Sequence, residues 1–243
     1  MEDSVWKTRS VADLFVNTVR GSIPMAAEQI TVMRHLVRGL APHFRTLLDL
    51  GCGDGILGHA MLDLSPEADA TFLDFSGPFL AMARNRLAAT PYRADFVLQD
   101  YGQRGWTGAL AGKGGFDLIV SGFSIHHQPD PRKREIYAEL FGLLNPGGLF
   151  LNLEHVLPGA PDLSALMDAL FVDGIHQHEL RKGGTRSREA LEDEYMRRPD
   201  KAANILAPIE IQCAWLRELG YANVDCYFKI FELGLFGGQK PKA

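Results

Sequence analysis

Cysteine, long apolar runs and blocks of like charge are scarce or missing in this sequence. The 243 residues hold three cysteines, Cys52, Cys213 and Cys226, an odd number without the Cys-x-x-Cys spacing of zinc sites. A disulfide framework and structural zinc are therefore not expected, and reduced thiols suit a cytoplasmic protein. No stretch approaches the ~18 apolar residues of a membrane-spanning helix, so no membrane partner is expected.

An excess of basic charge is missing as well. Lysine and arginine number 25 against 30 acidic residues, which gives a formal net charge of −5. Proteins that hold nucleic acid neutralise its phosphates with basic side chains, so a nucleic-acid partner is not expected. Hydrophobic residues make up 46% of the chain, enough to fill the core of one large domain. These features indicate a globular protein, and a homodimer is compatible with them.

Strand and helix patterns alternate from residue 46 onward. Short apolar runs typical of buried strands occupy 46–50, 70–74, 94–99, 116–121 and 148–154. Runs with helical spacing lie between or after them, at 56–64, 78–89 and 131–144. This alternation predicts right-handed βαβ units and a parallel sheet covered on both faces.

The C-terminal segment completes the predicted sheet. A helix at 208–219 precedes two strands at 223–230 and 232–236. These strands are too close in sequence for a helix to lie between them, so they should pair antiparallel. The predicted fold class is α/β, a Rossmann-like doubly wound sheet of seven strands, mostly parallel with one antiparallel strand.

Two further regions lie outside the strand–helix rhythm. Helical patterns at 11–19 and 25–40 predict an N-terminal helical lid, and residues 157–207, rich in charge and histidine, predict a helical cap inserted into the sheet domain. The predicted units are a lid over 1–44, a core over 45–156 with 208–243, and a cap over 157–207.

The most specific local motif is a glycine-rich run, Leu48-Asp49-Leu50-Gly51-Cys52-Gly53-Asp54-Gly55. Its glycines follow the first predicted strand, where they let the backbone approach a ligand closely. The third glycine of a dinucleotide fingerprint would stand at position 56 and is missing. The acids of the run suit a cationic cofactor better than a pyrophosphate. The alternative is a tight turn with a purely structural role.

Two more acids follow the next predicted strands. Asp74 ends the second strand, where a carboxylate can accept both ribose hydroxyls of a nucleoside, although Asp74 is also placed to cap a helix or to make a turn. Asp100 follows the third strand beside Tyr101 and can accept from an exocyclic amine, with a turn residue before Gly102 as the alternative. Asp49, Asp74 and Asp100 should lie together, because open α/β sheets bind ligands at the carboxyl ends of their strands.

These motifs resemble those of class I S-adenosylmethionine-dependent methyltransferases. The similarity extends over residues 45–155 and rests on the glycine run and on Leu73-Asp74-Phe75-Ser76, Phe116-Asp117-Leu118-Ile119-Val120-Ser121 and Leu143-Leu144-Asn145-Pro146-Gly147-Gly148. The resemblance implies S-adenosylmethionine as cofactor. It implies a cofactor site made of Asp49, Gly51, Cys52 and Gly53 at the methionine portion, Asp74 with Phe75 at the ribose, Asp100 with Tyr101 at the adenine, and Ser121 near the sulfonium.

Within that family the chain is similar to enzymes that methylate small molecules. It is more loosely similar to the synthase that makes carboxy-S-adenosylmethionine. That synthase has asparagine where this chain has Gly122, and tyrosine where this chain has Met25-Ala26, while its carboxylate-binding arginine aligns near Arg197. The resemblance therefore implies methyl transfer to a small-molecule acceptor. Carboxyl transfer and a non-catalytic cofactor-binding regulator are the alternatives.

Two histidine pairs complete the candidates. His126 and His127 follow the fourth predicted strand, where a histidine can take a proton from the acceptor. The alternative is structural, with one ring capping the next helix and the other packing against the cap. His176 and His178 invite comparison with a metal site, but residues two apart on a helix point in different directions, so no metal is expected.

Overall fold

One seven-stranded sheet organises the structure, a computed structural model that describes residues 23–197 and 203–242. The α-helices are α1 (Ala26–Leu40), α2 (Ile56–Leu62), α3 (Gly77–Leu87), α4 (Asp130–Leu143), α5 (Asp162–Arg181), α6 (Arg188–Met196) and α7 (Ile209–Glu218). The strands are β1 (Thr46–Leu50), β2 (Asp69–Asp74), β3 (Arg93–Leu98), β4 (Phe116–Gly122), β5 (Leu144–His155), β6 (Ala222–Ile230) and β7 (Leu233–Gln239). Short 3₁₀ turns cover Trp106–Leu110 and Ile125–His127. The helical pattern predicted at 11–19 lies outside the described residues.

The strand order is β3-β2-β1-β4-β5-β7-β6. Strands β1 to β5 pair in parallel, whereas β7 runs antiparallel to both of its neighbours, β5 and β6. The predicted fold class is therefore confirmed, including its single antiparallel strand. The chain order reverses between β1 and β4, which creates the crevice where open α/β sheets bind ligands.

Apolar side chains cover both faces of the sheet. In β1, Leu47 packs into the cluster that includes Met33 of α1, and Leu48 packs into the opposite cluster with Leu216 of α7. Successive strand residues point to opposite faces, so a strand buried on both sides must be apolar throughout. This requirement explains the uninterrupted apolar runs of the central strands.

The start of β5 differs from the prediction. The strand begins at Leu144, directly after α4, and not at Gly148. Leu144 pairs with Phe116, after which the register shifts before regular pairing begins at Leu149. The Asn145-Pro146-Gly147 stretch therefore forms an irregular entrance to the strand, held by a hydrogen bond from Gly147 N to Lys240 O (2.8 Å).

Helices α5 and α6 lie between β5 and α7 and have an apolar cluster of their own. Phe171 stacks on Tyr195, and Leu233 of β7 joins the same cluster. Phe123, after β4, packs against this cluster and also against the cluster on the α1 face of the sheet. Among the described residues no helix is long and apolar enough to cross a membrane.

Candidate functional site

The glycine-rich loop after β1 adopts backbone conformations that other residues rarely take. Gly51, Gly53 and Gly55 have φ angles of +63°, +54° and +78°, in the left-handed region that favours glycine. A Cβ on Gly51 would collide with the Ser124 side chain, whereas a Cβ on Gly53 would meet nothing closer than Phe79 at 4.0 Å. A ligand therefore has room to approach the backbone at Gly53.

Two buried acids brace this loop. Asp49 Oδ2 accepts a hydrogen bond from Gly58 N (2.8 Å) at the start of α2. Asp74, the last residue of β2, accepts from Gly53 N (2.9 Å) through Oδ2 and from Ser76 N (2.8 Å) through Oδ1. Burial raises the pKa of Asp74 to about 6, against the lowering effect of its backbone hydrogen bonds. Asp74 therefore holds the loop and titrates close to neutral pH.

The cap of α3 is Ser76, whose Oγ accepts from Phe79 N (3.5 Å). Asp74 therefore does not cap this helix, which was one of the two structural roles considered for it. Phe75 lies between them and is partly exposed.

The surroundings of the glycine-rich loop carry negative charge. Burial raises the pKa of the Cys52 thiol well above its usual range, and the Asp74 and Asp49 carboxylates raise it further. A thiol in such surroundings stays protonated and unreactive. The same negative potential favours a cationic ligand over the loop.

The end of β3 contributes Asp100 and Tyr101. Asp100 Oδ1 accepts from Gly102 N (2.8 Å), which is the turn role that the sequence left open. The Tyr101 ring is buried against Trp106, and its hydroxyl lies 2.6 Å from Ser124 Oγ. Burial raises the pKa of Tyr101 far above its ordinary value, so this hydroxyl stays neutral beside the glycine loop.

Ser121 lies at the centre of the sheet edge. It is fully buried in β4, and its Oγ donates to Leu50 O (2.8 Å) in β1. This bond fixes the two strand ends that flank the crevice. The residues predicted for the cofactor site thus lie at the carboxyl edge of β1, β2, β3 and β4, and their binding of the cofactor stays a prediction.

His126 forms a buried pair with Glu154, the penultimate residue of β5. Its Nδ1 lies 2.5 Å from Glu154 Oε1, and its backbone N donates to Glu154 Oε2 (3.1 Å). Burial raises the pKa of Glu154 to about 7, although the backbone hydrogen bond from His155 and the Coulombic interactions with His127, His155 and Lys133 lower it. Glu154 was not among the predicted site residues. Its signal was an acid that ends an otherwise apolar strand.

His127 is placed differently from His126. Its Nδ1 lies 3.2 Å from Ala203 O, and its ring centroid is 4.0 Å from that of His126. The N-cap of α4 is Pro129, and no side chain caps this helix. His127 thus contacts residue 203, in the segment predicted as the cap, which is the packing that the structural alternative expected of one ring.

A pocket opens between the glycine loop, the start of α1 and the ends of β4 and β5. Its apolar wall includes Ile30, Phe123 and Leu153, and its polar side chains include Asp49 and Gln29. Phe123 has a φ of +51°, an uncommon conformation for a bulky residue. In the part of the chain that the structure describes, no group of three histidine, cysteine or acidic residues could hold a metal.

Comparison with known proteins agrees with this geometry. A family model described as a methyltransferase domain matches residues 47–148. A carboxy-S-adenosyl-L-methionine synthase of Campylobacter lari is 26% identical over 227 residues, which cover 90% of this chain and 88% of that protein. An uncharacterized methyltransferase of Mycobacterium bovis is 33% identical over 115 residues, 46% of this chain and 51% of that protein.

The solved structures extend the fold comparison. An O-methyltransferase family protein from Burkholderia thailandensis superposes with a TM-score of 0.70 at 19% identity. The match covers all of this chain but only 64% of that longer protein, so the likeness concerns the fold. Residues 47–148 are thus a methyltransferase domain, and the fold and the acids at the strand ends indicate S-adenosylmethionine as its cofactor.

Proposed function

We propose that the acceptor of the methyl group is a small, largely apolar molecule with an ionisable hydroxyl or amine, and that His126 accepts its proton. The observation that carries the proposal is the buried His126–Glu154 pair. Phe123, which lines the pocket, and His126 both follow β4 at the carboxyl edge of the sheet. Glu154 lies on the sheet face opposite that of Leu153, because successive strand residues alternate in direction, and it holds the His126 ring from that face.

The described residues fit the cofactor that the family uses. The space over Gly53 leaves room for a ligand, and the acids around the loop suit a positive charge. In this proposal Asp74 with Phe75 holds the ribose, and Asp49, Gly51, Cys52 and Gly53 hold the methionine portion. Asp100 with Tyr101 borders the adenine, and Ser121 supports the strand end near the sulfonium.

Bound there, the cofactor supplies a methyl carbon that is already electrophilic. The task of the protein is to align the acceptor and to exclude water, and such positioning contributes ~7–11 kcal/mol to lowering a barrier. The apolar wall of Ile30, Phe123 and Leu153 serves both purposes. Of the predicted cap (157–207) and the predicted N-terminal lid (1–44), we include the described residues 157–197, 203–207 and 23–44 as further walls of the acceptor site.

Glu154 sets the tautomer of His126. With Nδ1–H donated to the carboxylate, the neutral ring carries its lone pair on Nε2. That nitrogen is placed to take the acceptor's proton. When Glu154 is protonated, its O–H donates to Nδ1, and the basic nitrogen is lost. Activity should therefore need Glu154 in its ionised form.

Carboxyl transfer to the cofactor is the second candidate, and the Campylobacter lari relative favours it. Two features of the chain oppose it. Gly122 lines the pocket without a side chain where the synthase pattern has an amide. Arg197 is 79% exposed and pairs with Asp193 (2.9 Å), so its charge is directed to solvent and not into the pocket.

Mass spectrometry separates these candidates. The purified protein should carry S-adenosylmethionine or S-adenosylhomocysteine, and a panel of phenols, amines and carboxylic acids should yield a product heavier by one methylene for a phenol or an amine. A carboxylated cofactor as the main species would establish the synthase reaction instead. Tight cofactor binding without turnover on any compound would favour a regulator. The three free cysteines support a reducing, cytoplasmic setting for the reaction.

A further inference from the structure

Gln29 is a polar residue on the buried face of α1. The other fully buried residues of this helix are Met33 and Val37, four and eight positions later. Gln29 therefore continues an apolar stripe, yet it is only 1% exposed. Burying an amide in such a stripe is unfavourable unless its polar atoms have partners.

One half of the amide is satisfied. Gln29 Nε2 donates to Pro24 O (2.8 Å) in the turn before α1. A proline carbonyl can only accept, so this bond assigns the nitrogen to Pro24 and leaves the oxygen Oε1 for another partner. Within residues 23–197 and 203–242, no hydrogen bond ends on Gln29 Oε1. An acceptor on a residue that is only 1% exposed and lines a pocket is available to a ligand that enters there.

The surroundings of Gln29 indicate what the partner is. Gln29 lines the same pocket as Asp49 and the glycine-loop residues Gly51 and Cys52. The carboxylate of Asp49 and the amide oxygen of Gln29 are both acceptors. The group that suits them donates hydrogen bonds and carries positive charge.

We propose that Gln29 is a cofactor-recognition residue, whose Oε1 accepts a hydrogen bond from the α-ammonium group of the cofactor's methionine tail. The inference rests on S-adenosylmethionine as the methyl donor, and it is independent of the acceptor and of His126. It assigns to α1, outside the glycine loop and the strand ends, a direct role in distinguishing an amino acid tail from other nucleoside substituents.

Calorimetry on the full chain tests this assignment with two ligands. One is S-adenosylhomocysteine, and the other is its analogue with hydrogen in place of the α-amino group. Gln29→Met should weaken binding of S-adenosylhomocysteine by roughly 10- to 100-fold, because a hydrogen bond to a charged group is lost. Binding of the desamino analogue should change by less than about threefold, because that ligand never made the bond.

A matched control is Gln212, which is equally buried but lies in α7, where it bonds to Tyr137 and Ala207. Gln212→Met should lower the melting temperature and leave the ratio of the two affinities unchanged. Equal weakening of both ligands by Gln29→Met, or no weakening of either, would overturn the assignment while methyl transfer by the wild-type enzyme still stood. If Gln29→Met does not fold, Gln29→Glu tests the proposal in its place. It keeps an acceptor oxygen and adds negative charge, so it should increase the preference for the amino ligand, and an unchanged preference overturns the proposal.

Discussion

One carboxylate holds His126 at two points. Glu154 Oε1 lies 2.5 Å from the ring Nδ1, and Oε2 accepts from the backbone N at 3.1 Å. A third contact comes from the end of the predicted cap, where Ile205 N donates to His126 O (3.0 Å). The imidazole is thus fixed in position by β5 and by the returning chain, which is the kind of preorganisation that proton transfer requires.

Replacing the proposed base should act on turnover alone. His126→Asn should lower kcat by about 10²- to 10⁴-fold, the usual contribution of a positioned general base. Affinity for S-adenosylhomocysteine, measured by calorimetry, should barely change. His127→Asn is the neighbouring comparison and should cost only a few-fold, because its Nδ1 faces a backbone carbonyl and not a carboxylate. Equal effects of the two variants would contradict the assignment to His126.

The pH–rate profile should show the ionisation of Glu154. Because burial raises the pKa of Glu154 to about 7, activity should rise with pH through that value as the carboxylate forms. Glu154→Gln should flatten this limb and lower kcat by ~10²- to 10⁴-fold, since an amide has one acceptor oxygen in place of two and carries no charge to hold the Nδ1–H tautomer of His126. Partial recovery in Glu154→Asp would support the charge as the cause. If the rise of activity with pH is unaltered in Glu154→Gln, the group that ionises is not Glu154.

Cofactor affinity should depend on Asp74. Asp74→Ala should weaken binding by roughly 1–3 kcal/mol, because ribose hydroxyls would lose an ionised partner. Asp69, at the other end of β2, is exposed and pairs with Arg93, so Asp69→Ala should leave the affinity unchanged. Calorimetry on both variants measures the difference. If Asp74→Ala folds and binds the cofactor with unchanged affinity, the ribose does not bind at the end of β2.

The same affinity should fall in acid. In the free protein the pKa of Asp74 is about 6, and hydroxyl donors need its ionised form, so binding should be constant above that pH. Below it, affinity for S-adenosylhomocysteine should fall by about tenfold per pH unit. Binding at pH 6 should also release a proton, which calorimetry detects in buffers of different ionisation enthalpy. A flat affinity from pH 5 to pH 8 would show that Asp74 does not bind the ligand as a carboxylate.

The sequence was sufficient to predict the sheet and the position of its acids. The runs around Leu47 and Leu48 are apolar on both faces, which only a strand buried between two layers of helices requires. Asp49 and Asp74 interrupt or end such runs, so their places near the carboxyl edge follow from chain order alone. The glycine loop was equally predictable from the sequence, because positive φ angles restrict the choice of residue.

Local pattern did not determine which residues meet across that edge. Glu154 reaches His126 because β5 pairs beside β4, and Gln29 reaches the pocket because α1 packs against the end of β5. Periodicity specifies which face of an element is buried, but it does not identify the neighbour that covers the face. The sequence by itself thus determined the fold class and the cofactor edge, whereas the partner of His126 and the place of Gln29 depended on tertiary packing between elements far apart in the chain.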